Sequence, residues 1–108
     1  RAAYNEAKAS EDNAKLQIQQ AKKDIHADVE EAYLNLNNAK ERISASAISY
    51  QAAKRNYDAQ KEKYSQGLST TLDLLNAEVQ MITSQVDDVE ARYDYYIALA
   101  QMDYVVGK

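Results

Sequence analysis

Residues 64–73 read YSQGLSTTLD and contain Gly67, the only interior glycine of the chain. Glycine suits the left-handed backbone position just past the end of a helix, and the leucine that follows would supply the apolar contact that often accompanies this turn. Ser69 or Thr70 can cap the next helix. If Thr70 does so, Asp73 occupies the third helical position, as in a capping box with Asp in place of Glu. These residues predict a sharp reversal between two helices.

The residues on both sides of this turn favour helix. The chain of 108 residues has 18 alanines and no proline, and it is short enough for one domain at most. We predict a single helical hairpin over 1–108, with a long helix over 1–66, a tip turn over 67–69 and a second helix over 70–106. The expected fold class is therefore all-α.

Each arm carries an apolar seam with alternating steps of four and three residues, which is the period of a coiled coil. On the first arm the seam consists of Ile25, Val29, Ala32, Leu36, Ala39, Ile43, Ser46, Tyr50, Ala53, Tyr57, Gln60 and Tyr64. On the second arm it consists of Leu68, Leu72, Leu75, Val79, Ile82, Val86, Val89, Tyr93, Tyr96 and Ala100. One seam stops just before Gly67 and the other starts just after it. We therefore predict a long antiparallel two-helix coiled coil, zipped along these two seams.

The seam changes register at Ile25, where two consecutive steps of four residues end at Val29. Such a stutter locally unwinds a heptad supercoil. Folded back from Gly67, the second arm reaches only to about residue 27, because both arms rise equally per residue. We expect the first ~25 residues to lean on a partner outside the chain. With no initiator Met and no signal segment at its start, we expect the chain to be a segment of a longer protein.

A second stripe with the same heptad period runs along the second arm, beside the seam: Leu74, Ala77, Met81, Ser84, Asp88, Ala91, Tyr95, Ala98, Met102 and Val105. The first arm carries Ala45, Ile48, Ala52 and Ala59 outside its seam. One interpretation is that alanine only maximises helix propensity on a solvated face. The other is that the larger residues pack sideways against neighbouring hairpins. The candidates for this lateral packing are Leu74, Met81, Tyr95, Met102 and Ile48.

Composition argues against several classes of function. With 17 acidic and 13 basic residues the net charge is −4, whereas a nucleic-acid binder normally presents a basic face. The absence of cysteine and the presence of a single histidine, His26, give no basis for predicting a metal site. There is no glycine-rich phosphate loop or nucleophile motif, so we expect neither a cofactor nor an enzyme. No apolar run approaches the ~18–20 residues of a membrane-spanning helix, so we expect the chain itself not to span a membrane.

Three strings then occur in a fixed order and spacing. Residues 28–36 read DVEEAYLNL, residues 64–77 read YSQGLSTTLDLLNA, and residues 91–95 read ARYDY, followed by Gly107. They resemble D-V-x-x-A-Y-L-x-L on the long helix, Y-x-x-G-x-x-T-x-x-D-V-L-x-A at the tip and A-R-Y-x-Y on the second helix of TolC-family outer-membrane channels, with Leu74 in place of the valine of the tip pattern. The likeness covers essentially the whole chain, and the sequence resembles the periplasmic hairpin of the second repeat of that family.

This resemblance implies a place in a larger assembly. Such channels are homotrimers of Gram-negative bacteria, with two repeats whose helices build a periplasmic tunnel, or α-barrel. They serve efflux or type I secretion by docking a periplasmic adaptor and, through it, an inner-membrane pump. The energy comes from the pump, so the channel needs no catalytic residue. The chain would be a tunnel and entrance segment on the periplasmic side of an outer-membrane protein.

The resemblance also assigns roles at the tip. Asp73 matches an aspartate lining the closed entrance, where three copies would form a cation-selective ring; alternatively, it only stabilises the first turn of a helix. A second acidic ring of some relatives falls at Asn76, which is uncharged. Tyr64 matches a latch tyrosine, but it also continues the seam, and the latch arginine falls at Ser69. The adaptor-contacting tip comprises Gly67, Leu68, Ser69 and Thr70.

Another structural class shares these features. The α-hairpin of a periplasmic adaptor, or a generic coiled-coil spacer, would also be an alanine-rich helical hairpin. A spacer has no need for the second stripe, and an adaptor tip is led by arginine and leucine. Neither alternative accounts for Gly67, Thr70 and Asp73 at their spacing, and both remain open from the residues alone.

Overall fold

The computed structural model describes residues 1–107, which form two long α-helices and the turn between them. Helix α1 spans Ala2–Ser65 and helix α2 spans Thr71–Val106, with no strand among the described residues. The two helices pack antiparallel in an extended body of 97 × 19 × 14 Å. The predicted all-α hairpin is confirmed.

The turn ends α1 in a Schellman motif. The Gly67 amide donates to the Tyr64 carbonyl at 3.0 Å, and the Leu68 amide donates to the Lys63 carbonyl at 2.8 Å. These are the two bonds that satisfy the last carbonyls of a helix. Gly67 has a φ of 76°, as the sequence predicts. Leu68, which was expected to make an apolar contact here, is 73% exposed.

Helix α2 begins with a side-chain cap. The hydroxyl oxygen of Thr70 accepts a hydrogen bond from the Asp73 amide at 3.1 Å, and Thr70 itself is extended. This satisfies one of the amides that every helix start leaves without a partner. Asp73 takes the third helical position, as predicted. Only half of the capping box forms, because the Asp73 carboxylate remains in solvent instead of returning to the Thr70 amide.

Helix α1 turns its predicted seam towards α2. Every seam residue from Val29 to Gln60 is buried or half-buried, and Ala32 and Ala39 are the most enclosed. At the ends of the seam, Ile25 and Tyr64 are largely exposed. The heptad analysis of the first arm is therefore confirmed over the length where a partner helix is present.

On α2 the prediction was wrong, because the helix buries its other stripe. The predicted seam faces solvent, with large apolar side chains exposed from Leu68 to Tyr96. The residues that face α1 are instead the second stripe: Leu74, Ala77, Met81, Ser84, Asp88, Ala91, Tyr95, Ala98, Met102 and Val105. At about 100° per residue, the midlines of the two stripes lie roughly 150° apart around the helix, so the stripes occupy nearly opposite faces.

Side-chain size explains this choice. In both inward faces, small residues repeat every seven positions: Ala32, Ala39, Ser46 and Ala53 on α1, and Ala77, Ser84, Ala91 and Ala98 on α2. The contact between Ser46 and Asp88 sets the antiparallel level, and from it each small residue lies level with a larger one on the other helix. Small residues let helix backbones approach closely, while large residues opposite them fill the space. The bulkier outward stripe of α2 has no small residue before Ala100.

Residues 1–28 extend beyond the reach of α2. All of them are exposed, and α2 ends at Val106, level with this boundary. The predicted end of pairing near residue 27 is thus confirmed. Side chains four residues apart pair along this stretch and at its end: Glu11 with Lys15, Gln20 with Asp24, and His26 with Glu30. Pairs of this kind contribute only about 0.2–0.5 kcal/mol each to a helix, so they do not replace a packed partner.

Neither helix combines the length and apolarity required to cross a membrane, over the residues that the structure describes.

Candidate functional site

The tip of the hairpin gathers the residues that the sequence singled out. Asp73 lies in the first turn of α2 with its side chain exposed, where a negative charge is favoured by the helix dipole. Asn76 lies three residues further along the same helix, also exposed. Residues three apart are neighbours on a helix surface. One carboxylate and one amide therefore share the solvent-facing surface next to the turn.

Tyr64 connects the two helices at the tip. Its phenolic oxygen accepts a hydrogen bond from the Thr71 hydroxyl at 3.4 Å, while the ring remains 44% exposed. Thr71 was not among the predicted site residues, since a hydroxyl just after a cap gives no separate signal in the sequence. The structure therefore places Tyr64 at the open end of the seam, bonded to the start of α2.

The four residues of the predicted contact tip differ in accessibility. Gly67, Leu68 and Thr70 are exposed. Ser69 is half-buried, and its hydroxyl donates to the Gln60 side-chain oxygen at 2.9 Å. Because Leu68 has no intramolecular packing role, its side chain is free to contact another molecule. Ser69 instead ties the turn to α1.

A second candidate surface is the outward stripe of α2. It presents Leu72, Leu75, Val79, Ile82, Val86, Val89, Tyr93 and Tyr96, each between 48% and 68% exposed. This corrects the assignment of the lateral-packing residues on α2, because Leu74, Met81, Tyr95 and Met102 lie half-buried against α1. Ile48 on α1 faces outward and is 70% exposed.

Polar contacts cross between the helices near the middle of the hairpin. The Arg42 guanidinium donates to the Asp94 carboxylate and lies 4.0 Å from a Glu90 carboxylate oxygen. One turn away, the Ser46 hydroxyl lies 3.3 Å from a carboxylate oxygen of Asp88. Sequence reasoning missed these contacts, although an aspartate within an apolar heptad stripe was a usable signal.

Charge is unevenly distributed between the arms. Residues 1–66 carry a net +1, whereas residues 67–108 carry seven acidic groups against Arg92 and Lys108. Within the described part of the chain, no three acidic or histidine side chains converge in a way that could hold a metal ion. The surface of α2 is thus acidic in general, and its carboxylates are spread along the helix.

The family model for outer membrane efflux proteins matches residues 1–108, the whole chain. The chain belongs to the outer membrane efflux protein family. Its members are outer-membrane channels for efflux or secretion. They are trimers that work with adaptors. The predicted resemblance to TolC-like channels is confirmed at the level of the family.

No curated protein and no solved structure matches the chain significantly.

Proposed function

We propose that this chain is a tunnel-wall and entrance hairpin on the periplasmic side of a trimeric outer-membrane channel. In this role it lines the path of exported molecules and carries out no chemistry. Its tip meets a periplasmic adaptor, which links the channel to an inner-membrane pump. The observation that carries the proposal is the outward apolar stripe of α2, found in a chain of the outer membrane efflux family.

The stripe supports a position for α2 with neighbouring helices on two sides. One face already packs on α1, while the opposite face exposes large apolar side chains along most of the helix. An isolated two-helix hairpin needs only one apolar face per helix, with polar residues on the other. A helix that is apolar on two opposite faces fits the middle of a layer. The wall of a helical tunnel is such a layer.

The shallow interior supports the same conclusion. The buried apolar residues are all alanines: Ala32, Ala39, Ala77, Ala91 and Ala98. Most helical stability in proteins comes from tertiary packing of an apolar face, and alanine contributes little apolar area. The large side chains of the outward stripe are therefore left for contacts beyond the hairpin. Ile48 on the outward face of α1 is a candidate for the same kind of contact.

At the entrance, we propose that Asp73 supplies one member of a ring of three carboxylates. Its exposure at the tip, unbonded through the side chain, supports this role. Such a ring favours cations and resists anions at a constriction. Asn76 lies beside Asp73 and adds no charge, so the filter depends on Asp73. Tyr64 holds the start of α2 through Thr71 and thereby steadies the rim.

For the adaptor, we propose that contact centres on the turn itself. Gly67 leaves the backbone accessible, because no atom lies within 4 Å of where a Cβ would be. Leu68 supplies an exposed apolar side chain beside it, with Thr70 exposed on the far side. Ser69, bonded to Gln60, holds the shape of the turn.

The lateral contact is tested by placing a charge on the stripe. Val86→Glu in the full-length protein should prevent trimer formation, because a carboxylate would be buried between hairpins without a partner. Gln85→Glu adds a charge one residue away and should leave the trimer intact. Trimer content is measured by native mass spectrometry of detergent-extracted protein. Normal trimers from Val86→Glu would contradict the tunnel-wall proposal.

The entrance ring is tested by planar-bilayer conductance. Asp73→Asn should reduce the preference for cations, whereas Asp103→Asn, an exposed acid at the other end of α2, should have a smaller effect. A pore that responds equally to both substitutions would reduce Asp73 to a helix-start residue. The absence of any pore in the unmodified protein would favour the adaptor or spacer instead.

A further inference from the structure

The apolar packing of this hairpin does not define a single register. On both inward faces the small and large residues repeat every seven positions, and each small residue lies level with a larger one. A slip of one helix past the other by seven residues preserves this matching. Ala32, for example, lies level with Met102 in the observed register and would lie level with Tyr95 after the slip. Side-chain size alone therefore leaves three neighbouring registers similar in packing.

Asp88 breaks this repetition. It occupies a large-residue position of the inward stripe, in series with Leu74, Met81, Tyr95 and Met102. Its side chain is only 14% exposed and bonds to the Arg92 guanidinium at 3.1 Å. Its other oxygen lies 3.3 Å from the Ser46 hydroxyl, which also reaches the Ile43 carbonyl at 3.1 Å. The carboxylate thus has one donor on its own helix, and on α1 it shares the single Ser46 hydroxyl proton with the Ile43 carbonyl.

Ser46 is likewise the exception in the small-residue series of α1, because it carries a side-chain donor. The other small positions of the α1 seam that pair within the hairpin are Ala32, Ala39 and Ala53. Slipping by seven residues in either direction places Asp88 level with Ala39 or Ala53, neither of which has a side-chain donor. Losing a hydrogen-bond donor to a half-buried carboxylate raises the free energy of the slipped register. The packing of the apolar layers changes little on the same slip.

We propose that Asp88 and Ser46 act as a register lock for the hairpin. They select one pairing among the heptad-slipped alternatives, as a single polar residue does in the core of some coiled coils. The contact of Arg42 with Asp94 and Glu90 follows the same register. A slip of seven residues moves one helix by about 10 Å along the other and the tip by about half that distance. The lock therefore sets the height of the tip.

The lock is a property of the hairpin and stands whether or not the tunnel assignment holds. Its consequence for the channel, that the three tips end level, rests on the proposed function. The register is measured as a distance between two positions within one chain. Its failure is thereby distinguishable from failure of the trimer or conductance experiments.

The register is measured by pulsed electron paramagnetic resonance on the full-length protein. Spin labels are attached at Asn35→Cys and Gln85→Cys, exposed positions on different helices about 21 Å apart along the axis. Labelled protein is diluted with excess unlabelled protein, so that each distance arises within one chain. The parent protein should give a single narrow distance. A slip by seven residues changes the axial separation by about 10 Å and gives a second peak.

Asp88→Met continues the pattern of Met81 and Met102 and should produce the second distance. Ser46→Ala continues the pattern of the other small residues and should do the same. Asp88→Asn keeps a hydrogen-bonding group and should retain one distance, as should Ser84→Ala, a matched change in the small series of α2. If Asp88→Met fails to fold, Ser46→Ala decides by the same readout. If folded Asp88→Met or Ser46→Ala gives only the parental distance, the proposal is overturned. The tip turn would then be what fixes the register.

Discussion

Gly67 is the residue on which the reversal depends. Its φ of 76° lies in the left-handed region, where side chains with a Cβ are disfavoured. No atom lies within 4 Å of a Cβ built at this position, so a substitution meets no steric obstacle. The cost of replacing Gly67 is therefore confined to its own backbone.

Gly67→Ala should lower the free energy of unfolding by about 1–2 kcal/mol, the cost of a left-handed conformation for an L-residue. Gly67→Asn should lose less, because asparagine tolerates this region better than alanine. Urea unfolding followed by circular dichroism measures both values. An asparagine variant less stable than the alanine variant would show that something other than backbone strain governs this turn.

Two aspartates of α2 show how differently one residue type can be used. Asp73 is exposed at the helix start, and a tip motif shared with a known family draws attention to it. Asp88 is half-buried in the helix interface with Ser46 and Arg92, and no motif marks it. Periodicity records that Asp88 lies on a stripe, but only the packing of α1 against that stripe gives the position its meaning.

At the level of elements, α2 differs from α1 in having two heptad stripes instead of one. The outward stripe is the more apolar, and the sequence therefore predicts that it faces α1. The inward stripe has the small residues that allow the helices to approach closely, with Ala91 completely buried. Matching of small side chains to large ones across the interface, and not the amount of apolar surface, therefore decides which stripe of α2 packs on α1.

Ala91→Leu should lower the free energy of unfolding by about 1–3 kcal/mol, because extra methyl groups must force the helices apart. Ala100→Leu is the matched control: it makes the same change on the same helix at an exposed position. It should change the stability by at most about 0.5 kcal/mol. Thermal unfolding by calorimetry gives both effects. A larger loss for Ala100→Leu would restore the seam first predicted from the sequence.

The molecule as a whole is long and thin. The hairpin is 97 Å long and nowhere more than two helices thick, so each segment depends on its local partner. Residues 1–28 have no partner helix within the described structure. Helices without tertiary support are marginal in water. This segment is therefore the part of the molecule whose stability depends most on assembly.

Hydrogen exchange should report this difference along α1. In the isolated 108-residue chain, amides of residues 2–28 should exchange at least about tenfold faster than those of 32–60, because opening them disrupts no interhelical contact. In the full-length channel, both segments should be protected to a similar degree. Mass spectrometry of peptides from the two segments makes the comparison. Equal protection of both segments in the isolated chain would mean that the overhang is stable without a partner.

The tip could be predicted in detail from the sequence because its determinants are local. A left-handed glycine, a threonine cap and an aspartate at the third helical position act within a few residues of one another. The contacts of Tyr64 with Thr71 and of Ser69 with Gln60 were not predicted. They depend on the distance and rotation between two helices, which no local pattern encodes.

The sequence by itself determined two helices, the place where the chain reverses, and the face that α1 turns towards its partner. In each case one local pattern offered a single solution: helix-favouring residues, one interior glycine and one continuous seam. Only the tertiary structure decided which face of α2 meets α1. A heptad period shows that a stripe will be covered, whereas the identity of the covering surface depends on how side-chain sizes match across the interface. Because the small residues of α1 and α2 interleave with larger ones, the less apolar stripe became the interface and the more apolar one was left facing outward.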